Sequence, residues 1–598
     1  MKIHNMALNV RLINACVAAA IVAVAGLGVA LWGLSALPLE VVKAHLDALA
    51  ADGNAGLFTV DLFRRVVLVM RVAGSLALAS AGVCLCLQAP LVRWTVTWVD
   101  AAVASSRGAW QFTREAIKRE EPIHLWTAIG ILLAAIAARL LELFQPMRYD
   151  EAFTFLNYAS KPFYVGMAYY EPNNHIFHTL LAHAISSVCG PHPWAIRLPA
   201  FVAGVLLVPA AYLAVRALYG KDASLLTAGW VAASAPWIEY STNARGYTIV
   251  GTTFMLALAL ASSLKRQKNT LAWLLLILCS IVGLYTIPTA IYPFGAVGVW
   301  LLLSAWLGDT RPPPLLLVRD TGVAVLCAVV VTGVLYSPVV IASGIKSAIG
   351  FAAPQPWADF TERAWKFFRE VWSQWNQGVP RIMSAMLAMG FVTAGVFHRR
   401  VATHRVPVVA AAAVWSLALL TINRTVPWPR HWLPFSLVYV ATAMAGLSFV
   451  LGRIGRGRVE RSRSIVMAFL TIVLTGGCGW SIVHKSSVQM VTPNDHFPDA
   501  KPIATFLRGY LRSGDAVIVG VPANAPLEYY FLALGVSRGY LRADVNVSQR
   551  LLVVAHQPHQ RTLTDLLQDA KAPYGQFDVP RIVKDFPSGV VYELRRKG

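Results

Sequence analysis

Acidic side chains are the scarcest chemistry in this chain. Of 598 residues only 30 are Asp or Glu, and all charged residues together make up 14%. Soluble domains carry about a quarter charged residues, so an ordinary solvated exterior is excluded. Cysteine is scarce too. Cys16, Cys84, Cys86, Cys189, Cys279, Cys327 and Cys478 lie nearly all inside apolar runs, and the polar C-terminal segment has none. Neither disulfides nor a cysteine-held metal organises that segment. There is no G-x-G-x-x-G and no P-loop, so nothing points to a nucleotide. No internal repeat is visible, and ionisable residues inside apolar runs are few, chiefly Arg71, Arg139 and Glu142. A transporter would carry more of them, in symmetric positions.

What the chain has in abundance is apolar length. Hydrophobic residues reach 57% and the mean hydropathy is +0.56. Runs long enough to count as spans or near-spans occur at 12–37, 66–91, 123–145, 197–217, 223–242, 248–264, 271–288, 290–307, 321–343, 381–397, 408–423, 433–452 and 465–484. The fold class expected is therefore an α-helical polytopic membrane protein of about thirteen helices. The N-terminal run is too long for a cleaved signal and reads as a retained first span. With that terminus cytoplasmic, the strongly basic links 92–122, 263–270, 398–407 and 453–464 all fall on one side, as the positive-inside bias requires. The net charge of +22 thus predicts anionic membrane lipids, not nucleic acid, as the neighbour.

The same alternation gathers the chemically interesting links on the opposite, outer side. Foremost is the stretch 148–178, which holds Asp150, Glu151, Glu171, His175 and His178. The segment 175–189 is apolar but too short to span and reads as an interfacial helix. If that helix begins by Glu171, then Glu171, His175 and His178 share one face. A second interfacial helix is expected within 344–380, where Trp357, Trp365, Phe368, Trp372 and Trp375 alternate with charges. After His484 a helix at 499–513, a strand at 516–521, a helix at 525–535 and strands at 551–555 and 590–594 predict a small, loosely Rossmann-like α/β domain.

Acids and arginines on one membrane face suit work on a lipid-linked substrate. Glycosyl transfer from a phosphate-linked sugar needs a base for the acceptor hydroxyl and cations for the departing phosphate. Asp150 or Glu151 can be that base. Arg245 and Arg430 stand at expected outer helix ends, where a guanidinium forks onto phosphate oxygens, or else snorkels as an anchor. A lipid-linked-sugar flippase or transporter and a non-catalytic scaffold are the alternatives.

Tyr149-Asp150-Glu151, Pro172-Asn173-Asn174-His175, Arg197-Leu198-Pro199-Ala200, Asn243-Ala244-Arg245-Gly246-Tyr247 and Pro429-Arg430-His431 follow one another in order. In this the chain resembles the GT-C superfamily of polyprenyl-phosphate-sugar-dependent glycosyltransferases. The branch it is most similar to holds the protein O-mannosyltransferases and the lipid A aminoarabinose transferase. The resemblance covers about 120–484. It implies an inverting transferase, Asp150 as acceptor-side base and Glu151 as its supporting carboxylate. It implies further that Asn174, His175, Asn243, Arg245, Tyr247, Arg430 and His431 bind donor or lipid phosphate. A divalent metal at Glu171, His175 and His178 is a further expectation, against which stands Pro172 where that branch has a lysine.

The expected organisation is a two-helix membrane extension and cytoplasmic connector (1–119), a catalytic transmembrane domain (120–484) with outer loop 146–196, and a soluble periplasmic domain (485–598). The expected location is a bacterial cytoplasmic membrane. The expected partners are a polyprenyl-phosphate sugar and a lipid, protein or polysaccharide acceptor.

Overall fold

The computed structural model describes residues 2–49, 58–169, 171–344, 354–454, parts of 465–479, 496–556 and 562–597. Among these, eight helices are long and apolar enough to cross a membrane: Val10–Ser35, Val60–Cys86, Pro122–Leu143, Pro193–Tyr219, Tyr247–Leu264, Pro288–Trp306, Pro314–Leu335 and Pro429–Arg453. Shorter apolar helices cover Ile176–Cys189, Thr270–Thr286, Arg381–Val396 and Val408–Asn423. The protein is a helical polytopic membrane protein. Of the five other expected runs, 271–288, 381–397 and 408–423 are among the shorter helices, and 465–484 lies partly outside the described residues.

The run 223–242 is helical but broken, into Lys221–Ala233 and Ala235–Glu239. Ser234 is extended (φ −76°, ψ 120°), and Pro236 has no N–H to return to Ala232, four residues back. Arg139 supplies the missing donors. Its buried guanidinium bonds the carbonyls of Ala232 (3.1 Å), Val231 (3.2 Å) and Ala135 (3.1 Å), and the Ser241 hydroxyl (3.0 Å). An arginine inside an apolar run is thus satisfied by the carbonyls that a break in the next helix exposes.

The core gathers Pro193–Tyr219, Lys221–Ala233, Tyr247–Leu264 and Leu433–Ile454. Hydroxyls tie two of these helices together, Thr248 to the Ala200 carbonyl (2.9 Å) and Thr252 to that of Ala203 (2.7 Å). Where Arg381–Val396 crosses Leu433–Ile454, a Cβ on Gly446 would collide with the carbonyl of Gly390. Glycine there permits backbone contact between helices, the usual device for packing in lipid. The expected amphipathic helices appear as Ile176–Cys189 and Trp357–Trp375. Trp365, Phe368 and Trp372 of the latter are exposed, while Phe367 is buried against Trp428.

The C-terminal domain holds a four-stranded sheet, β1 (Asp515–Val519), β2 (Arg550–His556), β3 (Arg581–Phe586) and β4 (Gly589–Arg595), in the order β1-β2-β4-β3. The β1/β2 pair is parallel and the other two are antiparallel. Strand β3 was not expected: its sequence RIVKDF lies on the edge, exposed along most of its length, so it carries no apolar alternation. The domain docks on the loop 146–196. Tyr530 Oη accepts the Met147 N–H (3.0 Å), Tyr529 Oη donates to the Pro191 carbonyl (2.5 Å), and the Phe155 ring meets Tyr529 edge-on.

Candidate active site

The short helix Tyr149–Thr154 follows the end of Pro122–Leu143 and presents Asp150 and Glu151 to different surroundings. Successive helical residues point about 100° apart, so adjacent carboxylates have separate fates.

Glu151 turns inward and is fully buried. It accepts from Arg197 Nε (2.9 Å), from Arg197 Nη2, from the Ala244 N–H (2.9 Å) and from the Arg148 N–H (2.9 Å). The last bond is the reciprocal arm of a capping box, closing the start of the helix. Arg197 also donates to the carbonyls of Leu143 (2.8 Å), Gln145 (2.7 Å) and Pro146 (2.9 Å). Alongside, Arg148 pairs with the buried Glu239 at 2.5 Å. Four charges thus sit in the interior, each with an opposite partner and further hydrogen bonding, most of it on Glu151 and Arg197, the condition under which buried ions are tolerated. Glu151 is a fastener that joins the loop 146–196, the Pro193–Tyr219 helix and the 243–247 turn.

Asp150 turns toward the open side, its side chain 12% exposed. Oδ2 lies 3.1 Å from Arg430 Nη1 and 3.6 Å from Arg245 Nη2, and Oδ1 accepts from Asn173 Nδ2 at 3.1 Å. Arg245 is held in turn by the Asn173 carbonyl (2.8 Å), Asn173 Oδ1 (3.3 Å) and Thr154 Oγ1 (3.4 Å). Its side chain is 2% exposed against 27% for Arg430. An anion arriving from outside meets Arg430 first and finds Arg245 fixed behind it. Segments 95 to 280 positions apart in sequence meet at this carboxylate.

The remaining expected residues form the buried layer around this trio. His175 Nδ1 accepts the Gly246 N–H (2.8 Å), which places its ring proton on Nε2. Burial, then Arg245, holds His175 well below the usual histidine pKa, so the ring is neutral. A Cβ on Gly246 would collide with Thr286, so only glycine brings that N–H so close. The Tyr247 ring sits between His175 (5.0 Å), Tyr240 (4.6 Å) and His431 (5.9 Å), and His431 Nδ1 bonds the Thr289 hydroxyl at 2.8 Å. Asn174 and Asn243 use their amides internally, Asn174 on the carbonyls of Gly166 (2.9 Å) and Tyr169 (2.7 Å), Asn243 on Glu239 (3.1 Å).

The expected metal trio is not assembled. The helix starts at Ile176 with His175 as its cap, so Glu171 lies off it and is exposed, whereas His175 and His178 are buried. The cause is local: a residue before proline is disfavoured in the helical region, and Glu171 precedes Pro172. Among the described residues no group of three or more His, Cys, Asp or Glu is set to hold a metal. The residues present do not fit the ion.

Asn173, Thr154, Arg148, Arg197 and Glu239 complete the site and were not singled out for it. Asn173 stood in a recognised tetrapeptide, but a turn has no periodicity to say which of two adjacent asparagines faces the acid. Arg197 likewise stood in a motif of the resemblance, at the head of a span, but neither signal says that it pairs with Glu151.

Residues 173–337 match the model of the family described as dolichyl-phosphate-mannose-protein mannosyltransferase. No curated protein matches the sequence. Among solved structures, the chain is similar to ArnT from Cupriavidus metallidurans in the apo state, with 12% identity, a TM-score of 0.49, and coverage of 78% of this chain and 97% of that one. The same protein bound to undecaprenyl phosphate gives 11% identity, a TM-score of 0.46 and the same coverage. The oligosaccharyltransferase AglB from Archaeoglobus fulgidus, in complex with an inhibitory peptide and a dolichol-phosphate, gives 11%, 0.44, and 72% and 69%. The resemblance to polyprenyl-phosphate-sugar glycosyltransferases, first carried by five short motifs, is met again in the family match.

Proposed function

We propose that the protein is an integral-membrane inverting glycosyltransferase that moves a sugar from a polyprenyl-phosphate carrier to an acceptor hydroxyl at the outer face of a bacterial cytoplasmic membrane. The observation that carries this reading is the meeting of one carboxylate and two arginines, Asp150, Arg245 and Arg430, at a partly open position where helix ends converge. With the donor bound, its phosphate takes the Arg430 and Arg245 guanidiniums from Asp150, which frees the carboxylate. Asp150 then accepts the proton of the acceptor hydroxyl. That oxygen attacks the anomeric carbon from the side opposite the phosphate, and the carbon–oxygen bond to the phosphate breaks. Both electrons leave with the phosphate, whose charge the arginines hold. One displacement inverts the configuration. The C-terminal domain, docked beside the outer loop, lies on the same side as the reaction.

The test is reconstitution with radiolabelled polyprenyl-phosphate sugars and a membrane extract as acceptor. A new glycosidic linkage formed by the wild type is the expected result. Donor crossing the bilayer with no new linkage would replace this reading by a flippase.

A further inference from the structure

At the far end of the bundle from Asp150, residues 397–407 join the Arg381–Val396 and Val408–Asn423 helices. The helix Tyr247–Leu264 measures the separation: its 18 residues rise about 27 Å, close to the ~30 Å hydrocarbon thickness. The link therefore lies at the opposite membrane surface.

Its backbone is fastened from several helices. Thr403 bonds the carbonyls of Leu218 (2.9 Å) and Ala217 (2.7 Å), and His404 Nε2 bonds Ser262 Oγ at 2.7 Å. The Val406 N–H donates to Asp309 Oδ2 (3.0 Å), and its carbonyl accepts from Trp300 Nε1 (2.8 Å). Asp309 is taken as well by the buried Lys265, at 2.7 Å. Among the described residues Arg399, Arg400 and Arg405, all exposed, have no carboxylate paired to them. With His398, Val396 and Phe397 they line a cup of about 540 Å³. Val396 is 70% exposed, and Arg453 lies against the Phe397 ring. The cup thus has an apolar wall on the hydrocarbon side and guanidiniums at its rim.

Three guanidiniums on a pinned loop, at headgroup depth, beside exposed aliphatic surface, match an anionic phospholipid. Its phosphate accepts the forked N–H groups, and its glycerol and upper acyl chain cover Val396 and Phe397. We propose that this cup is a specific binding site for an anionic phospholipid headgroup on the membrane surface opposite the candidate active site.

The experiment uses the full chain in neutral detergent, titrated with phosphatidylglycerol, phosphatidylcholine or inorganic phosphate. The readouts are thermal unfolding and lipid retained in native mass spectrometry. Phosphatidylglycerol should raise the wild-type Tm by several degrees, and phosphatidylcholine and inorganic phosphate should not. The R399Q/R400Q/R405Q variant should lose most of that shift. An equal shift in the variant, or an equal effect of inorganic phosphate, overturns the proposal. Should the triple variant not fold, Arg399→Gln and Arg405→Gln are measured singly, and unchanged phosphatidylglycerol retention in both overturns it as well.

Discussion

Adjacent carboxylates in this protein divide their work by direction. Glu151 is buried under Arg197 and two backbone N–H groups, while Asp150 meets Arg245, Arg430 and Asn173 at an opening. Removing one partner of a buried pair costs about 3–5 kcal/mol, because the other charge is left uncompensated. Arg197→Leu should therefore lower thermal stability by that order in an unfolding assay, and Arg430→Gln, at a partly open position, should lower donor binding with little loss of stability. Equal destabilisation by both would make Arg430 an anchor. The two asparagines separate in the same way. Asn173→Ala should reduce transfer, whereas Asn174→Ala leaves the buried Gly166 carbonyl and the half-buried Tyr169 carbonyl without their donor and should cost stability by about 1–3 kcal/mol. Asp150, Arg245 and Arg430 were legible in sequence because acids are scarce and arginines at outer helix ends stand out. Arg197 and Arg148 were not, since a buried arginine and a snorkelling one read alike until the partner acid, 46 residues away for Arg197, is placed.

Among the elements, hydropathy located every long apolar helix of the described residues, because apolar length is a local property. Breaks and caps depend on neighbours and were less visible. The run 223–242 gave no hint that Ser234 would be extended, although Pro236 marked where a hydrogen bond had to be lost. The remedy lies on another helix, in Arg139. Arg139→Leu should leave the Val231 and Ala232 carbonyls unsatisfied in the interior and depress the Tm of the purified protein by several degrees. An unchanged Tm would show that the break is satisfied otherwise. The start of the Ile176–Cys189 helix is the clearest case of misreading: i, i+4, i+7 spacing predicts a shared face only inside a helix, and Pro172 kept Glu171 outside it.

Over the whole molecule, the C-terminal domain is joined to the loop 146–196 through Tyr529 on Pro191 and Tyr530 on Met147. The alternation of strands and helices foretold the domain but not its docking surface, which consists of tyrosines that any small core would hold. Buried histidines, His175 among them, set an acid limit, and two of the others lie far apart. Burial pushes His404 down to about 3 and His496 to about 4, against about 6.5 in an unfolded chain. The folded state binds fewer protons, so this contribution is complete above pH ~6.5 and is lost as pH falls toward 3–4. Thermal unfolding between pH 7.5 and 4.5 should show falling stability, with a shallower slope in a His404→Gln/His496→Gln variant. An equal slope would remove these residues as the cause.

The role of Asp150 is central, and Asp150→Asn tests it most directly. The substitution keeps the shape of the side chain and removes its capacity to take a proton. The account predicts a folded protein that still binds the polyprenyl-phosphate donor but transfers sugar ~10²–10⁴-fold more slowly, the range of general-base catalysis. Transfer at the wild-type rate by a properly folded Asp150→Asn protein would contradict it.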